Sequence, residues 1–340
     1  MVAKQFKVLR LDKPEVIFPM KEELEELNKV NAEIIEAGWS TEDDIIKIAK
    51  DVDVIMTDAA KMTRRVINSL GKCRLIVSYG IGYDHIDVDA ATDNGILVVN
   101  IPDFCLEEVS NHAIALLLIC AKKLIFMNEG TKSGRWTECK QAQAPMGSIT
   151  GQTLGIIGCG KIGRLVAKKA QCFDLKVLGH DPYISKSKAM ECGITLISLP
   201  DLLSEADYIS IHTLCNQETQ HLIGEKELRL MKSNAFLINT SRGSIINEVA
   251  LIKALEEKQI AGAGLDVFEQ EPVDPNNPLL KMSNVVITPH SAYYSDNAIR
   301  RLRTSVGKEA ARVLSGQWPQ NVVNKTVKPK VVLNQMKQQR

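Results

Sequence analysis

The chain carries almost no net charge. Its 340 residues hold 42 Lys and Arg against 41 Asp and Glu, a formal charge of +1. So close a balance gives no electrostatic reason to expect a nucleic acid or a membrane surface as partner. Only the stretch from Lys325 to Arg340 is basic, and it reads as a solvated polar tail. The eight cysteines include no C-x-x-C pair, which argues against a zinc site or a disulfide framework and points to a reduced, cytoplasmic protein. No His falls at metal-ligand spacing with Asp or Glu, so no metal is expected. The longest apolar run, Ala113 to Ala121, is too short to span a bilayer. The opening MVAKQFKVLRLD passes straight into a strand pattern and lacks the apolar region of a signal peptide, so no secretory leader is expected. The sequon Asn324-Lys325-Thr326 is then without consequence.

What is present is length enough for about two domains with large cores, and one highly organised stretch, Thr153 to Asp181. Leu154 to Ile157 reads as a buried strand. Gly158, Gly160 and Gly163 follow in G-x-G-x-x-G spacing, across Cys159, Lys161 and Ile162. Ile162, Leu165, Val166 and Ala170 then recur at helical spacing. A second apolar run ends at Asp181. The first glycine permits the tight turn, the second lets a pyrophosphate approach the backbone, and the third lets helix and strand pack closely. The helix N-terminus offers N–H groups and partial positive charge to that pyrophosphate. Asp181 can accept from the adenosine ribose hydroxyls and would repel a 2′-phosphate, which favours NAD over NADP. Lys186 and Lys188 lie a little further on and leave NADP open. Cys159 reads as a small filler, with a redox-sensitive position as the alternative.

Before and after this stretch, strand and helix patterns alternate, which implies parallel sheets with helices on both faces. In the first hundred residues Ser40 is expected to cap a helix from Thr41 to Lys50, with Asp43 completing a capping box. Ile101-Pro102-Asp103 breaks the alternation. A long helix, roughly Leu106 to Phe126, follows and is apolar on nearly all sides, as at a domain junction or subunit interface. Gly130 to Ile149 reads as a loop-like arm. The final long helix, Ser295 to Leu314, is expected to cross back to the first domain, with ligands bound in a cleft between domains. The expected organisation is a substrate domain of residues 1–102 and 293–330, an inserted NAD-binding domain of residues 103–292, and a polar tail of residues 331–340.

Charged residues at the carboxyl ends of parallel strands are the ones to examine for chemistry. Arg242, Glu271 and His290 stand at three such ends. Each alone could be a surface charge, a loop acid or a helix-cap neighbour. Together they suit a 2-keto acid. Arg offers a planar fork to carboxylate and carbonyl. His can protonate the carbonyl oxygen near neutral pH. A carboxylate beside that His orients the ring and favours its charged form.

The fingerprint, then INTSRGSIINEVALIKAL, GAGLDVFEQEP and NVVITPHSAYYS, resembles the D-isomer-specific 2-hydroxyacid dehydrogenase family over nearly the whole chain, to about Asn324. The resemblance implies an α/β fold of two doubly wound parallel-sheet domains, a Rossmann NAD-binding domain inserted into a flavodoxin-like substrate domain. It implies a catalytic His290–Glu271 pair and an Arg242 that orients substrate. It implies that Asp266 meets the nicotinamide carboxamide, and that backbone around Thr213, Leu214, Thr240 and Ser241 lines the cofactor. It implies substrate-carboxylate binding by backbone N–H groups of Ser78-Tyr79-Gly80, and a homodimer joined through the cofactor domains and the long helix. Many members carry Glu-His where this chain has Asn111-His112, which leaves His112 either a packing or interface residue or a catalytic one. The Ser291–Ser295 segment is similar to a subgroup of phosphoglycerate-type dehydrogenases and C-terminal-binding-protein corepressors. There an aromatic at Tyr293 comes near the substrate; packing at the hinge is the alternative.

The function expected is NAD-dependent interconversion of a D-2-hydroxy acid and its 2-keto acid. The alternative is an NAD(H)-sensing binding protein of the corepressor kind. The substrate stays open among glyoxylate, hydroxypyruvate, pyruvate, branched or aromatic 2-keto acids and 3-phosphoglycerate. Ser78 supplies no basic side chain for a phosphate.

Overall fold

Short runs rich in Val, Ile and Leu form the strands, and the helices between them cover both sheet faces. The computed structural model describes residues 6–11 and 20–334. They form two compact units, which divide at Phe104/Cys105 and Tyr294/Ser295.

The first unit begins β1 (Phe6–Leu11), α1 (Lys21–Leu27), β2 (Ala32–Ala37), α2 (Glu42–Ala49), β3 (Val54–Thr57), α3 (Arg64–Asn68), β4 (Leu75–Ser78), α4 (Val88–Asp93) and β5 (Leu97–Val99). Its strands are parallel in the order β2-β1-β3-β4-β5, the flavodoxin-like arrangement. Every residue of β3 and β4 is buried, as expected of strands covered on both faces. Helix α2 starts one residue later than expected. Thr41 is extended at φ −133° and its hydroxyl accepts from the Asp44 amide, while the Asp44 carboxylate accepts from the Thr41 amide at 2.9 Å. The capping box is therefore Thr41/Asp44, not Ser40/Asp43.

The second unit runs α5 (Leu106–Ala121), α6 (Leu124–Lys132), α7 (Trp136–Gln141), β6 (Thr153–Ile157), α8 (Lys161–Gln171), β7 (Lys176–His180), α9 (Lys186–Met190), β8 (Thr195–Leu196), α10 (Leu199–Glu205), β9 (Tyr208–Ile211), α11 (Glu225–Leu230), β10 (Phe236–Asn239), α12 (Glu248–Glu256), β11 (Gly262–Leu265) and β12 (Val285–Ile287). Seven parallel strands lie in the order β12-β11-β10-β9-β6-β7-β8. This is a Rossmann order extended by one strand, and it reverses between β6 and β9.

The single long helix expected from residue 106 is two helices bent by 62°. Lys123 causes the break: it is left-handed at φ +50°, and its Nζ donates to the Ala142 carbonyl at 3.0 Å. The arm expected as loop likewise contains α7. No single helix among the described residues is long and apolar enough to cross a membrane.

The chain returns to the first unit through α13 (Asp296–Leu314), capped by Ser295. This helix packs on α1, where Gly307 leaves space for Glu23. The segment after Asn324 departs from a solvated tail as far as it is described. Val327 is buried, the Lys330 amide donates to the Gly95 carbonyl, and the Asn334 amide donates to the Gly316 carbonyl. Residues 335–340 of the expected tail lie outside the described residues.

Candidate active site

Strand register brings the catalytic candidates together. In the second unit Asn239 pairs with Leu265, and Leu265 with Ile287. The segments that leave β10, β11 and β12 therefore emerge side by side. They carry Arg242, Glu271 and His290 respectively. Gly243 then sets how closely the first two segments approach. A Cβ there would lie 1.8 Å from the Phe268 carbonyl carbon and 2.3 Å from the Glu269 nitrogen, so only glycine lets the Arg242 turn press against the Glu271 loop.

His290 Nδ1 lies 2.6 Å from Glu271 Oε2. The other Glu271 oxygen accepts from the Phe268 amide at 3.0 Å, which fixes the carboxylate plane. Burial works against charge on both groups. For His290 the hydrogen bond and charge of Glu271 outweigh burial and the repulsion of Arg242, and its pKa is raised above 6.5. For Glu271 burial would raise the pKa, but the His290 bond and charge, the Phe268 amide and Arg242 together hold it below 4.5. Arg242 thus lies near both. Its Nη1 donates to the Ser241 carbonyl at 2.8 Å. Tyr293 meets the His290 ring edge-on, with centroids 6.3 Å apart.

The support beneath this set is polar and buried. Asn239 is fully buried; it donates to the Arg242 carbonyl and accepts from the Ser241 amide. It holds the Arg242 turn, and the composition of INTSRG alone does not mark it for that role. Asp266 is fully buried too. One carboxylate oxygen accepts from Thr288 Oγ1 and the Ser291 amide, the other from the Ala292 amide. Its carbonyl accepts from the His290 amide at 2.7 Å. His290 is left-handed at φ +50° within this clamp. Asp266 is thus committed to the turn that carries His290. His112 is more than a packing residue: its Nε2 is 2.9 Å from Thr288 Oγ1 and 3.6 Å from Asp266 Oδ1.

The dinucleotide features adjoin this set along the same sheet edge. Ile157 pairs with Ile211 and with His180, which places Gly158, His212 and Asp181 together at the switch point. Gly158 has φ +91°, and a Cβ on it would meet the Thr213 amide at 2.6 Å. Gly163 packs against the Gly158 carbonyl, where a Cβ would come within 2.2 Å. Gly160 faces open space, the clearance a pyrophosphate needs. Helix α8 begins at Lys161, so the Ile162 and Gly163 amides have no intrahelical acceptor. Thr240 Oγ1 is buried with no hydrogen-bond partner, and Leu214 is exposed beside Thr213. Open backbone, free amides, an orphaned hydroxyl and an uncovered apolar side chain in one row fit a dinucleotide.

Cys159 sits buried within the glycine turn. Its amide donates to Asp181 Oδ2 at 2.8 Å, and its thiol is fully buried and pushed up to about 12 by burial. It therefore ties the glycine turn to Asp181 and offers the cofactor no donor. Asp181 Oδ1 accepts from the Tyr183 amide. Each carboxylate oxygen keeps a further lone pair for a ribose hydroxyl. Ser241 Oγ donates to the Ile211 carbonyl, which binds β10 to β9 at the cofactor edge.

In the first unit, the Ser78-Tyr79-Gly80 turn is only partly available as an anion cradle. The Tyr79 amide donates to the Thr57 carbonyl at 2.9 Å, extending the ladder, and Ser78 is buried with its hydroxyl on the Gly82 carbonyl. The Tyr79 hydroxyl donates to the buried Glu23 at 2.9 Å. Of the three expected residues, Gly80 is the one whose amide has no protein acceptor among the described residues.

Known proteins share this fold. The profile of the D-isomer specific 2-hydroxyacid dehydrogenase NAD binding domain matches residues 114–292. A glyoxylate reductase of Korarchaeum cryptofilum is 39% identical over 287 residues, 83% of this chain and 86% of that protein. A D-3-phosphoglycerate dehydrogenase of Methanocaldococcus jannaschii is 36% identical over 94% of this chain, which spans 60% of that longer protein. The crystal structure of a D-lactate dehydrogenase from Aquifex aeolicus, complexed with NAD and lactic acid, superposes with a TM-score of 0.81 at 30% identity, over 93% of this chain and 99% of that one. The cofactor of the second unit is of the NAD type. Fold and relatives agree, and the chain belongs to the D-isomer specific 2-hydroxyacid dehydrogenase family.

Proposed function

We propose that this protein interconverts a D-2-hydroxy acid and its 2-keto acid, with NAD as the preferred cofactor. The observation that carries the reading is the 2.6 Å contact of His290 with Glu271, next to Arg242 and on the sheet edge of the dinucleotide row. When bound, the nicotinamide supplies the hydride for reduction or takes it up in oxidation. The protein's own residues handle charge and protons. Glu271 holds Nδ1 of His290, so Nε2 is the end that gives a proton to the keto oxygen or takes one from the hydroxyl. Arg242 offers its planar fork to the carboxylate and carbonyl of the substrate. Tyr293, edge-on to His290, is the proposed wall beside the substrate. Gly80 is the proposed amide donor to the carboxylate.

Cofactor choice rests on Asp181, whose charge beside the ribose opposes a 2′-phosphate. Glycine loop, Lys161, Ile162, Thr213, Leu214, Thr240 and Ser241 are the proposed remaining contacts. Leu124, Ile125 and Trp136 are large and exposed on α6 and α7, which supports a homodimer that covers them.

The test is NADH oxidation with a panel of 2-keto acids, from glyoxylate and hydroxypyruvate to branched and aromatic acids, with NADPH in parallel. Turnover of one or more acids, faster with NADH, is the expected result. A flat panel despite measurable NADH binding would shift the reading to an NAD(H)-sensing protein.

A further inference from the structure

The loop that carries Glu271 is held from its far side by a histidine outside the catalytic set. His221 Nε2 lies 2.6 Å from Glu269 Oε1. The same oxygen accepts from the Glu248 amide at 3.2 Å. Glu248 answers: its carboxylate accepts from the Glu269 amide at 3.1 Å and from Asn277 Nδ2 at 2.7 Å. Two glutamates thus exchange backbone N–H bonds within two residues of Glu271. His221 is the side chain that meets Glu269 directly. The backbone of His221 is fixed as well. It is left-handed at φ +52°, an unfavourable conformation for a residue with a side chain, and its amide donates to the Ser244 carbonyl at 2.8 Å. The next amide but one, Ile223, donates to the Ile245 carbonyl. One short segment therefore grips both the turn after Arg242 and the loop before Glu271.

We propose that His221 is a positioning residue for the catalytic pair: by donating to Glu269 it sets the loop from Phe268 to Glu271, so that the Glu271 carboxylate stays on Nδ1 of His290. This inference rests on the reading of Glu271 and His290 as that pair. His221 touches neither, and acts through the backbone of Phe268 and Glu269. The Phe268 amide is itself one of the two donors or partners that orient Glu271, so a small rotation of this backbone moves the carboxylate. The charged groups facing His290 are Glu271, Arg242 and Asp266. With Glu271 displaced, burial and Arg242 oppose its protonation.

His221→Ala and His221→Gln test this, the second keeping a donor near the position of Nε2. Steady-state rates and an NMR titration of His290 are compared with wild type. The expected result for His221→Ala is a kcat about tenfold lower with KM for NADH unchanged, and a His290 titration midpoint at lower pH. His221→Gln recovers most of both. A wild-type kcat and His290 midpoint in His221→Ala, or a loss of kcat with the His290 midpoint unmoved, overturns the proposal. The titration does not depend on turnover, so it separates this outcome from failure of the catalytic reading, which a His290→Ala enzyme with wild-type rate would signal.

Discussion

His290 Nδ1 stands 2.6 Å from Glu271 Oε2, and each group shifts the other away from its ordinary titration range. The His290 pKa is raised, so the proton donor proposed for keto acid reduction is present at low pH and is lost as pH rises through a value above 6.5. Reduction should fall on that limb, and oxidation of the hydroxy acid, which needs neutral His290, should rise on it. In Glu271→Gln the partner charge is gone while burial and Arg242 remain. The falling limb should move to lower pH. Rate profiles for both directions check this, and a limb unmoved in Glu271→Gln would contradict it.

The same pair shapes stability. Glu271 has a depressed pKa, so its contribution is present above 4.5 and lost as pH falls through the lower folded value. His290 has a raised pKa, so its contribution is present below 6.5 and lost as pH rises through the higher folded value. The difference in unfolding free energy between wild type and His290→Gln should therefore be largest between those two values. Urea midpoints across pH measure it.

Gly243→Ala should disturb the site without touching a charged group. The added Cβ would lie 1.8 Å from the backbone of Phe268, which cannot turn aside as a side-chain tip can. A cost of about 1–3 kcal/mol in stability is expected, with reduced kcat because the turns carrying Arg242 and Glu271 are forced apart. Urea unfolding and turnover check it; wild-type values for both would show that the contact is not needed.

Asp266→Asn should loosen the turn of His290. The carboxylate accepts from Thr288, Ser291 and Ala292, and an amide must place N–H where one acceptor oxygen stood. A loss of about 1–3 kcal/mol follows from one unmatched buried donor. Denaturation with turnover measured on the same variant checks it, and a fully stable variant would contradict the assigned clamp.

Much of this site is legible in the residues themselves. The G-x-G-x-x-G spacing, the apolar strand before it and Asp181 after it dictate a turn whose steric demands are met at Gly158 and Gly163. Arg242, Glu271 and His290 are recognisable because charged residues follow apolar strand patterns in succession. The backbone's own use of its donors is not legible. Nothing in the letters says that the Cys159 amide goes to Asp181, or the Tyr79 amide to Thr57, since those bonds depend on which strand ends lie side by side. The break at Lys123 is hidden for a related reason. Apolar residues resume at Leu124 directly after it, and a left-handed lysine has no composition signal. The capping residue of α2 moved by one because Ser40-Thr41 offers two adjacent hydroxyls, and only geometry selects between them.

Cofactor choice provides a test of the dinucleotide row. Asp181→Ser removes the charge beside the ribose, and the ratio of kcat/KM for NADPH over NADH should rise by at least about tenfold, about 1.4 kcal/mol. An unchanged ratio would place selection elsewhere.

The most direct measurement of the central claim is kcat/KM for NADH-dependent keto acid reduction by His290→Ala, with NADH affinity measured on the same protein. Loss of the proton donor should lower kcat/KM by about 10²–10⁴-fold with NADH still bound. An enzyme that kept most of its wild-type rate would contradict the assignment of His290 as the acid and base of the reaction.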